Sequence, residues 1–183
     1  HIDLLRSRIK EDPQALDVTI EAKMKEHFLA HNIGAVVEGE NNDSMVVLTA
    51  HYDHLGLMGK DCMFPGANDN ASGTSMVLNF VKHFAKNKPK YKTVFIFFSS
   101  EEAGLIGSRY FVEHSAVDLK KIKFLINLDL LGTGDDGFMV VNGAVYTKQF
   151  EILNNINKEK KLVKEVKKRG KAQNSDHYWF TEK

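Results

Sequence analysis

Three largely apolar runs divide this chain into its main elements: Met45 to Ala50, Val94 to Phe98 and Phe124 to Leu128. Short continuous apolar runs predict strands buried on both faces, as in a parallel α/β sheet. Other segments carry different periods. From Asp17 to about Met24, Val18, Ile20, Ala22 and Met24 alternate with polar residues, and Asn32 to Glu38 alternates weakly through Ile33, Ala35 and Val37. Both patterns predict half-buried strands, the second a partner of the first. Val77, Phe80, Val81 and Phe84 recur at helical spacing, which predicts a helix from near Asn70 to about Lys86, capped by Asp69 or Asn70. A second helix is expected from Glu101-Glu102 through Tyr110, Phe111 and Val112. A third runs from about Thr147 to Asn157, with Phe150, Leu153 and Ile156 on its apolar face, after a strand from Phe138 to Val141. Pro13 breaks a polar lead-in over residues 3–17, while residues 54–68 and Gly132 to Gly137 form Gly-containing loops. Strand and helix alternate, so the class is α/β.

Composition narrows this picture little. A chain of 183 residues is expected to form one domain, over 1–183, with a real core. The longest apolar stretches fall far short of the roughly 20 residues that span a bilayer. The formal charge of +1 gives no general affinity for nucleic acid or membrane. The single Cys62 excludes an internal disulfide framework and a Cys-rich metal cage. No secretory signal is visible at His1-Ile2-Asp3, and the chain does not begin with Met, so a processed start is expected.

The chemistry lies where the runs end. His51 closes the first run, Glu101-Glu102 follow the second after Ser99-Ser100, and Asp129 closes the third. Ligands bind beyond the carboxyl ends of strands in such sheets, and this edge collects one imidazole and three carboxylates. Asp69 and His177 complete a set that suits two metal ions. Asp69 would bridge, His51 would pair with Asp129, and His177 with Glu102. Oxygen and imidazole donors without thiolate favour zinc, with cobalt or manganese as substitutes. Glu101 is then free to act as a general base. Asp53, two residues from His51 along an extended segment, can fix the imidazole tautomer as the carboxylate partner of a metal-bound histidine. Asp176 beside His177 is a weaker candidate for the same task.

Each residue alone has a plainer reading. His51 could be a hydrogen-bonded strand-end histidine, Glu101-Glu102 could be helix-start carboxylates, and Asp69 an N-cap. A carboxylate closing an apolar strand, as Asp129 does, is costly unless paired or metal-bound. Their convergence on one sheet edge favours the metal reading. His54, His83 and His114 are expected to be solvated surface residues. Lys158 to Lys171, with eight basic residues, is expected to be a solvated helix end and turn. No His-Glu-x-x-His, Gly-x-Ser-x-Gly or P-loop pattern is present.

Read together, five ordered segments resemble the co-catalytic di-zinc exopeptidases, the family of bacterial leucyl aminopeptidases, glutamate carboxypeptidases and glutaminyl cyclases. They are Thr49 to Gly56, Gly66 to Gly73, Ser100 to Ser108, Ile126 to Asp129 and Ser175 to Phe180. The resemblance implies a three-layer αβα sandwich around a central mixed, mostly parallel sheet. It implies His51 and Asp129 on one zinc, Glu102 and His177 on the other, Asp69 between them, Glu101 as base, and a cis Asp69-Asn70 peptide. The expected activity is removal of an N-terminal residue from a peptide or protein. The alternatives are a single-zinc glutaminyl cyclase and an inactive binding relative or fragment. In the family the chain continues beyond its last His, so a missing C-terminal part is expected here. A periplasmic or secreted location is expected from the resemblance alone.

Overall fold

The computed structural model describes Thr19 and residues 23–182. The lead-in expected over 3–17 and most of the strand expected from Asp17 to Met24 lie outside the described residues. β1 (Ile33–Val37), β2 (Asn41–His51), β5 (Tyr91–Phe98) and β6 (Ile122–Asn127) form a four-stranded sheet in the order β1-β5-β2-β6. β5, β2 and β6 run parallel, and β1 pairs antiparallel with β5 as an edge strand.

The pleat explains why the central runs are apolar on every residue. Met45, Val47, Val94, Ile96 and Phe98 face one side of the sheet, where Phe111 and Phe180 pack on them. Leu48, Ala50, Phe95 and Phe97 face the other, against Val77, Phe80, Val81 and Phe84. These last four belong to α1 (Gly73–Phe84), while Phe111 lies on α2 (Ile106–Glu113) and Phe180 on α4 (His177–Thr181). Helices thus cover both faces, and the architecture is the three-layer αβα arrangement. Each apolar side chain buried in this way contributes about 1.5–3 kcal/mol relative to exposure.

The elements differ from the sequence expectations chiefly at their starts. α1 begins at Gly73 because Asp69 and Asn70 are non-helical (ψ 95° and 42°); the peptide bond between them is cis. Asn70 still serves the helix, since its Oδ1 accepts the Gly73 N–H at 3.0 Å. α2 begins at Ile106, not at Glu101, because Gly104 and Leu105 adopt positive φ (102° and 59°) and interrupt a helical path. The 54–68 loop holds two short paired strands, β3 (Leu57–Met58) and β4 (Cys62–Met63). β7 (Phe138–Val140) pairs in parallel with β8 (Val166–Lys168), so the basic stretch contains a strand as well as the end of α3 (Thr147–Lys160). Among the described residues, no helix is long and apolar enough to cross a membrane.

Candidate metal centre

The carboxyl ends of β2, β5 and β6 converge, as parallel strands in register must. His51, the last residue of β2, is buried, and its Nε2 faces Asp69 Oδ1 at 3.2 Å, Asp129 Oδ1 at 3.3 Å and Glu101 Oε2 at 4.0 Å. Its Nδ1 lies 3.2 Å from the Asp53 carbonyl and 3.7 Å from the Asp53 carboxylate. Both acceptors hold a proton on Nδ1 and direct Nε2 at the carboxylates, where a metal ion would take the place of a second proton.

Asp53 also shapes the next strand end. Its Oδ1 and Oδ2 accept the Glu101 and Glu102 N–H groups at 3.1 and 3.2 Å, just after Ser100 turns the chain with φ of 56°. Burial pushes the Asp53 carboxyl up, but His51 and these two N–H groups outweigh it and hold the pKa below the ordinary value. Asn32 braces the same turn, accepting the Ser99 N–H and donating to the Gly107 carbonyl. Gly107 is required there, since a Cβ would strike the Ser99 carbonyl.

Asn70, also buried, fastens the loop beyond β6. Its amide donates to the Leu128 carbonyl at 3.0 Å, and its Oδ1 accepts the Leu130 N–H at 3.3 Å as well as that of Gly73. Asp129 is thereby held against the start of α1, beside Asp69.

Two groups of donors result. His51, Glu101 and Asp129 form one, and His54, Asp69 and Glu102 the other, each with ligand atoms within 4.8 Å of one another. Asp69 joins them, with Oδ1 toward His51 and Oδ2 at 3.9 Å from His54 Nδ1. His54 corrects the sequence expectation: it is not a solvated surface residue, because its Nδ1 lies 2.6 Å from Glu102 Oε1. His83 and His114 are exposed. His177 does not join either group, and its Nε2 lies 3.0 Å from the Ala172 carbonyl. Burial lowers its pKa, although Asp129 is near enough to oppose that shift. The wholly buried Asp176 has neither carboxylate oxygen hydrogen-bonded among the described residues. Burial raises its pKa to about 6; the nearby Ser108 hydroxyl, which donates to the Leu105 carbonyl, softens the shift without satisfying the carboxylate.

The electrostatics fit a cation. Burial disfavours a charged His51, yet the hydrogen bonds it donates to Asp129 and Asp53 and the charges of Asp129 and Glu101 raise its pKa to about 11. A pocket that holds a proton so tightly has an excess of negative charge, which a divalent ion would also offset. With imidazole and carboxylate donors and no thiolate, the residues present fit zinc. Burial raises Glu101 to about 7, with His51 opposing and Asp176, Asp129 and Glu102 reinforcing the shift. That value suits a proton acceptor near neutral pH.

A cleft of about 570 Å³ opens onto Asp53, His54 and Glu102, with Phe28, Leu29 and Tyr52 in its walls. A larger one of about 800 Å³, between Thr133 and Val166, contains none of the donor residues.

Residues 32–183 match Peptidase family M28. Aminopeptidase YwaD of Bacillus subtilis is 37% identical over 132 residues, which cover 68% of this chain and 28% of the relative. An aminopeptidase of Pseudomonas aeruginosa is 34% identical over 114 residues, covering 62% of this chain and 20% of the relative. Among solved structures, the zinc aminopeptidase BSAP from Bacillus subtilis aligns with a TM-score of 0.66 and 30% identity, over 82% of this chain and 37% of that one. A glutaminyl cyclase from an Acidobacteriales bacterium aligns with a TM-score of 0.69 at 24% identity, a likeness of fold, over 82% of this chain and 54% of that one. The chain therefore spans under a third of the length of these two curated relatives.

Proposed function

This chain belongs to Peptidase family M28, and on that premise we propose that it carries a dinuclear zinc centre that hydrolyses the N-terminal peptide bond of a peptide or protein. The observation that supports this reading is the pair of donor groups joined through Asp69. His51 and Asp129 would hold one ion, Glu102 would hold the other, and Asp69 would serve both. We assign the second imidazole to His177 from its place in the Ser175-Asp176-His177 motif alone; its Nε2 lies against the Ala172 carbonyl, outside both donor groups. His54 is the competing donor, given its contact with Glu102. Bound zinc would supply an acidified water and polarise the scissile carbonyl.

Glu101 would take a proton from the attacking water and return it to the leaving amine. Its position supports that role, because it lies among the His51 and Asp129 donor atoms, within reach of a water held there. Asp53 keeps Glu101, Glu102 and His51 in mutual register, and the cleft beside Tyr52 gives the substrate a partly apolar approach. The test is hydrolysis of a short peptide with a free N-terminus, compared with the same peptide acetylated, before and after chelation and zinc restoration. Cleavage of the free peptide alone, lost on chelation and recovered with zinc, is expected. Equal cleavage of both peptides would overturn the exopeptidase assignment, and cyclisation of an N-terminal glutamine instead would favour a cyclase.

A further inference from the structure

The larger cleft, of about 800 Å³, contributes no donor to the metal centre, yet one of its walls starts there. Beyond Asp129 the chain is pinned to the segment around Asp69. Leu130, Leu131 and Gly132 donate their N–H groups to the Asn70, Ser72 and Asn68 side chains at 3.3, 3.0 and 2.8 Å. The next residues, Thr133 to Asp135, line the cleft. Thr133 follows Asp129 by four residues, and an extended chain covers at most about 3.6 Å per residue, so the cleft opens within about 14 Å of Asp129. The opposite wall is the end of α3 and its cap, with Asn157, Lys158 and Lys161.

The positive charge on that wall exceeds what the helix requires. A helix end carries about half a unit of negative charge, whereas Lys158, Lys160 and Lys161 together oppose only Glu159 in the sequence there. The acidic groups nearby are engaged: Glu165 pairs with Lys167 at 2.7 Å, Asp136 with Lys164 at 3.6 Å, and Asp135 accepts the Thr133 hydroxyl at 2.9 Å. Among the described residues, Lys158 and Lys161 have no ion-pair partner. Lys158 to Lys171 holds eight basic residues against Glu159 and Glu165 while the whole chain carries +1, so the rest of the chain is net negative. The lining has apolar surface from Leu162 and Val163 but no aromatic ring on which a nucleic-acid base could stack.

We propose that this cleft is a second site for the polypeptide substrate, one that takes an acidic segment about four residues after the N-terminus held at the metal centre. Lys158 and Lys161 meet its carboxylates. The proposal rests on the aminopeptidase reading, which puts the substrate's N-terminus at the centre and lets its chain trail along Leu130 to Gly132.

Fluorescence anisotropy of a labelled, N-acetylated peptide with a glutamate run at that distance from its N-terminus tests it, in zinc and again in excess chelator. Acetylation protects the probe from cleavage, and the chelator removes metal as a carboxylate partner. The acidic probe is expected to bind in both conditions and to weaken as salt rises, while a probe with glutamine in place of glutamate does not bind. Lys158→Ala with Lys161→Ala weakens binding by about 3–10-fold, the scale of two exposed ion pairs. Lys82→Ala with Lys86→Ala, the same change of charge around the end of α1, leaves it as before. With free N-termini, the acidic peptide is hydrolysed with the higher kcat/KM. Equal binding of the two probes, binding unmoved by the Lys158 and Lys161 changes, or tighter binding of a single-stranded oligonucleotide of equal charge overturns the proposal. Zinc-dependent hydrolysis without preference for the acidic peptide overturns the second site alone. No hydrolysis of any free peptide, with the acidic probe still bound, overturns the aminopeptidase reading and the substrate role of the cleft with it.

Discussion

Replacing Glu101 by Gln in the metal-free chain should stabilise it, and only at high pH. Burial raises the Glu101 carboxyl from an ordinary 4.5 to about 7, against the pull of His51. Below pH 4.5 the folded and unfolded chains both carry the proton, and the group contributes nothing. Between 4.5 and 7 only the unfolded chain releases it, so stability falls as pH rises. Above 7 the loss is complete. At about 1.4 kcal/mol per pH unit it approaches about 3 kcal/mol, and the Glu101 side chain is only 13% exposed, so solvent screens little of it. Gln keeps the shape without the charge. Urea unfolding with excess chelator should therefore show Glu101→Gln to be about 1–3 kcal/mol more stable than the unaltered chain at pH 8, and equal to it near pH 4. A difference of the same size at both pH values, or a less stable variant at pH 8, would refute the electrostatic account of this residue. The expected pattern is that of a group kept for chemistry at the expense of stability.

Other perturbations address the remaining parts of the site. His177→Ala should reduce zinc from about two ions per chain to one while His54→Ala keeps both; the opposite pattern, read by metal analysis, gives the second imidazole to His54. Asp53→Ala removes the acceptor for the Glu101 and Glu102 N–H groups and a partner of His51, and zinc affinity should fall by about 10–100-fold in a competition titration. Asn70→Ala leaves the Leu128 carbonyl and the Leu130 and Gly73 N–H groups without their side-chain partner, which should cost roughly 1–3 kcal/mol in urea unfolding.

The sheet was legible because its strands are apolar on consecutive residues, and only burial on two faces requires that of Val94 to Phe98. The same runs pointed to His51, Glu101 and Asp129, since a polar residue that ends a buried strand faces the crevice. His54 was missed for a corresponding reason. It lies in an irregular loop without periodicity, and only its place at the end of His51-Tyr52-Asp53-His54 could have drawn attention. The start of α2 depends on left-handed geometry at Leu105, a residue type that rarely adopts it. The Thr49–Asn127 hydrogen bond was equally hidden, because it needs the β2–β6 register that places the two side by side. Patterns report which face is buried; they do not report which polar side chains meet across strands.

Zinc bound per chain, measured after dialysis against metal-free buffer and stoichiometric zinc addition, tests the central claim most directly. The bridged centre predicts about two ions on the unaltered chain and one or fewer in Asp69→Ala. A single ion on the unaltered chain, or two that survive Asp69→Ala, would contradict it.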